Sequence, residues 1–259
     1  MRPVTSSVDW CEPNYLYPNT PVLQWIAEQF NTWSAIIYLI FSALYLVNAY
    51  QLQWRGAIDY VRPRFLLNSL GLLTVGVGTF LFHATLSREH QMLDEISMNF
   101  AIILNVYLLL NDAQPMKATT AKKSVTDDSS SSSSSWIQSY ETFRKLTMLL
   151  TVLLIALVMY LYDQTNPLKF RTVFGVVAFS LAFFCIYKTE NHNRNVAQRI
   201  STEESRLYRE QKWSLIRGIF IYGLTGFGAW MIERTMCFEP LKLHAWWHYL
   251  TSLSAYCGM

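Results

Sequence analysis

Residues 65–87 read FLLNSLGLLTVGVGTFLFHATLS, 23 positions between Arg64 and Arg88 without a single Asp, Glu, Lys or Arg. A hydrocarbon core of about 30 Å needs about 20 mostly apolar helical residues, so this stretch is long enough to cross a bilayer. The 26 residues between Glu28 and Arg55 pass the same test. Shorter uncharged runs follow at 96–111, 146–162, 172–187, 218–232 and 243–259. A soluble globule of 259 residues would have to bury all seven on every side. With 52% apolar and only 15% charged residues, the chain reads as an all-α membrane protein of seven transmembrane helices. The predicted spans are 30–52, 65–87, 91–111, 145–162, 168–187, 213–232 and 243–257. Residues 243–259 supply at most about 25 Å of helix, so the last span is expected to be short.

Composition excludes other classes. A net charge of +3, with basic residues scattered in connections, does not suit nucleic-acid binding. Four cysteines without a CxxC pair give neither a disulfide scaffold nor a zinc ribbon. The first 25 residues contain Asp9, Glu12 and four prolines, so the first span is expected to direct its own insertion. The connection 112–144, with an unbroken serine run at 129–135, reads as a disordered cytosolic linker. The charged segment 188–212 reads as a helix continuing into water.

Lys and Arg number 15 on the side of the connections after spans one, three and five, against 6 on the other. The positive-inside bias therefore predicts a lumenal N-terminus and a cytosolic C-terminus. That topology divides the chain into a lumenal segment, 1–29, and a membrane domain, 30–257. It also gathers His83, Asp94, Glu95, His244 and His248 in the lumenal half of the membrane, beside the N-terminal acids. Ionisable groups within spans are costly and are functional candidates.

His244 and His248 stand i,i+4 and so share one helix face, a spacing that lets two imidazoles hold one metal. His83 at the same depth makes a third ligand, and three protein ligands leave a zinc position open to water, the catalytic pattern. Asp94 is the natural proton acceptor. Thr79, one turn before His83, offers a hydroxyl that either stabilises an oxyanion or back-bonds to its own helix. Asp9, Glu12, Asn14 and Glu28 offer oxygens suited to a hard cation such as calcium, or are simply solvated acids. Cys11 and Cys237 fall on the lumenal side, where a disulfide can form. His90 and His192 fall in connections and read as plain surface histidines.

Three blocks resemble one family. Asp9-Trp-Cys-Glu-Pro-Asn-Tyr15, followed by Trp25-Ile-Ala-Glu28 and Phe30-Asn-Thr32, resembles the opening of the alkaline ceramidases. Gly78-Thr-Phe-Leu-Phe-His83-Ala-Thr-Leu, continuing to Gln91-Met-Leu-Asp94-Glu95, and His244-Ala-Trp-Trp-His248 are similar to that family's later motifs, in the same order. The resemblance implies a zinc ion on His83, His244 and His248, and proton handling by Asp94. Thr79 stands where relatives often carry a serine. It implies a calcium site of Asp9, Trp10 (through its backbone carbonyl), Glu12, Asn14 and Glu28, and a Cys11–Cys237 disulfide. The implied activity is cleavage of the ceramide amide to a fatty acid and a sphingoid base, in the endoplasmic reticulum or Golgi membrane. Ceramide and membrane lipids are the implied partners, and nucleic acid is not one. The rival readings are a non-enzymatic seven-span receptor and a related zinc lipid hydrolase or adiponectin-receptor-like sensor.

Overall fold

A computed structural model describes residues 4–8, 10–17, 19–21, 23–54, 61–111, 202–237 and 239–257, together with 180, 183 and 187. Among these the regular structure is entirely helical. In chain order the helices are α1 (Gln29–Ser34), α2 (Ile36–Trp54), α3 (Val61–Thr85), α4 (Arg88–Asn111), α5 (Thr202–Met236) and α6 (Leu243–Cys257), with a 3-10 turn at Glu239–Leu241. Apart from 180, 183 and 187, the expected spans at 145–162 and 168–187 and the serine-rich linker lie outside the described residues.

Gln29–Gln51 and Arg64–Thr85 are long and apolar enough to cross a membrane. Their outward faces carry Ile40, Leu44, Leu46, Val47, Leu66, Leu70, Leu73 and Val77, all exposed. Such faces suit a hydrocarbon solvent and would be unusual in water. The first predicted span is divided at Ala35, where the Ser34 hydroxyl bonds back to the Asn31 carbonyl and α1 gives way to α2. α5 starts 11 residues before its predicted span, at Thr202, because Glu, Arg, Gln and Leu in 202–212 favour helix as much as the apolar run does.

α3 packs along both α2 and α4, and α5 along α6, while α6 also meets α1 and α2. Small residues permit these approaches. A Cβ on Gly78 would lie 3.0 Å from the Asp94 Cα and 3.1 Å from the Leu93 carbonyl oxygen, so α3 and α4 are in backbone contact there. Gly223 and Gly226 of α5 lie against the side chains of Ser254 and Leu250 of α6.

The N-terminal segment closes one end of this bundle. Ala27 and Glu28 donate their backbone N–H groups to the carbonyls of Ala84 (2.8 Å) and His83 (3.0 Å). Thr5 and Ser6 both donate to the Leu86 carbonyl. The last turn of α3 is thereby supplied with donors it lacks within its own helix. Cys11 and Cys237 form a disulfide, tying the segment to the residue that ends α5. Cys237 has φ 46°, and its N–H bonds to the Glu233 carbonyl at 3.1 Å, a left-handed helix stop.

Candidate metal centre and its acid–base pair

α3 and α6 bring three histidines together at the capped end of the bundle. His83, His244 and His248 are at most 4% exposed, and one ring nitrogen from each lies within 4.8 Å of the other two. His83 and His244 approach through their Nε2 atoms, 3.2 Å apart. Two tetrahedral zinc ligands at ordinary Zn–N lengths sit about 3.3 Å apart, so this separation suits a shared ion.

The hydrogen bonds fix which nitrogens are available. His83 Nδ1 is 2.5 Å from Glu28 Oε2, so Nδ1 carries the proton it donates to the carboxylate and Nε2 keeps a lone pair. His248 Nδ1 is 2.7 Å from Ser34 Oγ, and the Ser34 hydroxyl proton goes to the Asn31 carbonyl at 2.9 Å. Ser34 therefore accepts from His248 Nδ1–H, and again Nε2 is left with its lone pair. Partners of this kind, which orient an imidazole by its far nitrogen, are the usual supports of metal-binding histidines. The ring of His244 is stacked on Trp10, centroids 3.7 Å apart at 21°. His244 Nδ1 is buried without a hydrogen-bond partner among the described residues. Three imidazoles presenting nitrogen, with no thiolate or carboxylate among them, suit zinc over a hard cation.

Thr79 and Asp94 stand on the facing surfaces of α3 and α4. The Thr79 hydroxyl donates to Asp94 Oδ1 at 2.5 Å, across the Gly78 contact, so it does not back-bond to its own helix. Both are buried, at 3% and 8% exposure. Ser97 Oγ donates to the Asp94 carbonyl, and Gln91 Nε2 donates to Glu95 Oε1.

Glu12 and Glu28 are not solvated. Glu12 is 3% exposed and Glu28 is fully buried. Glu12 accepts the N–H groups of Phe30 (2.5 Å) and Asn31 (2.9 Å) and so caps α1. Glu28 accepts from Trp10 N–H at 3.2 Å and Asn31 Nδ2 at 3.0 Å, besides His83. Asn31 thus bridges the two carboxylates. Burial pushes the Glu12 carboxyl above its usual range, against the pull of its two backbone donors, and the charge of Glu28 pushes the same way. Trp10, Glu12 and Glu28 are gathered here, Asn14 Oδ1 is buried on the same segment, and Asp9 lies outside the described residues.

Sequence reasoning placed Glu28 with a cation and missed its bond to His83. It also missed Ser34 behind His248, and Glu233, whose carboxylate accepts the His244 backbone N–H. These partners are 55, 214 and 11 residues apart, and no local periodicity records them. His90 requires a correction. It lies in the first turn of α4, half-buried, with Nδ1 2.7 Å from the Thr85 hydroxyl, and is not a surface loop histidine. α4 simply begins earlier than the predicted span. His192 lies outside the described residues.

A profile of the ceramidase family matches residues 2–259. The chain belongs to the ceramidase family. It is 27% identical to mouse alkaline ceramidase 3, over 98% of this chain and 81% of the relative. It is 26% identical to the alkaline ceramidase YPC1 of Saccharomyces cerevisiae, over 97% and 74% respectively. The alkaline ceramidase of Arabidopsis thaliana is also 26% identical, over 99% and 82%. With two stretches among the described residues long and apolar enough to span, this ceramidase-family chain is a membrane protein. Its histidine cluster is compatible with a metal cofactor.

Proposed function

We propose that the protein hydrolyses the N-acyl amide bond of ceramides, releasing a free fatty acid and a sphingoid base, at a zinc site inside the membrane. The observation that carries this reading is the buried three-histidine cluster: one ring nitrogen from each lies within 4.8 Å of the others, His83 and His248 each rest Nδ1 against a buried oxygen, and Thr79, one turn before His83, bonds Asp94. Family membership names the substrate class.

His83, His244 and His248 would hold the ion, which when bound supplies a water of lowered pKa and an electrophile for the amide carbonyl oxygen. Asp94 accepts the proton lost by the attacking water and returns it to the departing sphingoid nitrogen. Thr79 spends its proton on Asp94 Oδ1, so it positions the carboxylate instead of serving the oxyanion. Glu28 and Ser34 hold two of the imidazoles in place. The low-dielectric surroundings strengthen each of these interactions.

The same reading includes seven spans, a lumenal N-terminus and a cytosolic C-terminus, and residence in the endoplasmic reticulum or Golgi. It also includes a calcium ion held by Asp9, the Trp10 carbonyl, Glu12, Asn14 and Glu28. Carboxylate and carbonyl oxygens suit that ion, and the burial of Glu12 and Glu28 supports a cation there.

The test is metal content and ceramide hydrolysis of purified, detergent-solubilised protein. Wild type is expected to hold near one zinc per chain and to release fatty acid from ceramide. His248→Ala loses the zinc. Asp94→Asn keeps it and loses turnover by about 10²-fold or more. A folded wild type without zinc, or an Asp94→Asn variant with undiminished turnover, overturns the reading.

A further inference from the structure

Glu233 is a buried carboxylate for which the chemistry above has no use. It sits in the last turn of α5 and is 3% exposed. A carboxylate is expensive to bury and is kept where fixed donors compensate it. Here the donor comes from another part of the chain: it is the backbone N–H of His244, in the first turn of α6. The main chain of Glu233 is engaged as well: its carbonyl accepts from Cys237 N–H and lies 3.4 Å from Cys11 Sγ. One residue therefore joins the disulfide, the N-terminal segment and the helix that carries two of the three histidines.

The geometry has a direct effect on the metal centre. Capping of α6 alone needs only a polar side chain at its own start, such as serine or aspartate. A carboxylate reaching from α5 fixes the height of α6 relative to α5, and with it the level at which His244 and His248 meet His83. The main-chain carbonyl of the same residue lies against Cys11, whose neighbour Trp10 has its indole stacked on the His244 ring.

We propose that Glu233 is a positioning residue for the three-histidine site, clamping the His244 amide to the disulfide-tethered end of α5 and so setting the register of α6. The consequence for metal binding rests on the zinc reading above, but the clamp itself does not.

Two measurements on the full chain in detergent test it. Hydrogen–deuterium exchange of chelator-stripped protein reads the clamp without metal: Glu233→Ala is expected to accelerate exchange over 243–248, and Glu233→Gln, which keeps an acceptor oxygen, to restore most of the protection. Zinc affinity by chelator competition, with the absorption spectrum of the Co²⁺-loaded protein, reads the consequence. Glu233→Ala is expected to weaken zinc about 10- to 100-fold and to alter the Co²⁺ spectrum, again with rescue by Gln. Tyr45→Phe removes a hydrogen bond to the Tyr256 carbonyl at the far end of α6 and serves as the control. It is expected to lower Tm while leaving zinc affinity in place.

Unchanged exchange and affinity in Glu233→Ala overturn the proposal. So does an affinity loss that Tyr45→Phe reproduces at equal Tm. Should Glu233→Ala not fold, Glu233→Asp keeps the charge but is one methylene short. Faster exchange and weaker zinc are expected there, and wild-type values overturn the proposal. Faster 243–248 exchange in a protein whose wild type binds no zinc supports the clamp and refutes the zinc reading instead.

Discussion

Gly78→Ala tests how closely catalysis depends on the α3–α4 contact. A methyl group there would sit 2.9 Å from Ser97 Oγ, 3.0 Å from Asp94 Cα and 3.1 Å from the Leu93 carbonyl oxygen, against 3.4 Å or more for an ordinary contact. Two of those atoms are backbone and cannot rotate away, so α4 must retreat by about 0.4 Å at Asp94. Overpacking costs about 1–3 kcal/mol, from which the helix preference of alanine over glycine returns about 1 kcal/mol. The net destabilisation is therefore modest, about 1 kcal/mol. The kinetic effect is larger in proportion. If a 1 Å misplacement costs about 10²-fold, 0.4 Å costs about sixfold. The Thr79–Asp94 hydrogen bond starts at 2.5 Å and survives that stretch, so the loss falls on kcat for ceramide with zinc content unchanged. Gly228→Ala is the control: nothing among the described residues lies within 4 Å of its added methyl, and it is expected to leave kcat alone. Gly78→Ala with a kcat within about twofold of wild type refutes the reasoning, as does an equal loss in Gly228→Ala.

Ser34→Ala removes the acceptor that fixes the His248 tautomer, and zinc affinity measured against a chelator is expected to fall about 10- to 100-fold. Breaking the disulfide with Cys237→Ser opens a loop closed across 226 residues. Chain entropy gives an upper bound of about 5 kcal/mol for that change, reduced because helices held in a bilayer confine the open chain already. A fall in Tm that wild type shows only under reductant is the expected signature. In calcium-free protein the raised Glu12 carboxyl makes stability fall as pH rises. Below the ordinary value of 4.5 the group is protonated in both states, whereas between that value and its higher folded-state value only the folded form holds the proton. Glu28 and Lys242 also act on this group, and Glu12→Gln is expected to flatten that limb of a Tm–pH profile.

The helices could be read from the sequence where the pattern was one-dimensional. A 23-residue uncharged run leaves a bilayer helix little alternative, and α3 follows it closely. The division at Ala35 left no such trace, since no proline or glycine marks it and the cause is a serine turning back on its own backbone. His244 and His248 could be paired by spacing alone. The groups that hold the imidazoles could not, because Glu28 and Ser34 reach them only after the chain has folded back on itself. The solvated alternative for Glu12 and Glu28 failed for the same reason: their donors, Phe30, Asn31 and Trp10, belong to a cap that exists only in three dimensions.

The distance along the chain between the histidines has a consequence for biosynthesis. A ribosome must add 161 residues after His83 before His244 exists, and the partner of Cys11 also comes late. The early helices, which carry Thr79 and Asp94, are made without the residues that would complete the centre. Translation thus acts as a safety interlock: under the proposed chemistry, a stalled or interrupted chain sits in the membrane among its own substrates and cannot cut them.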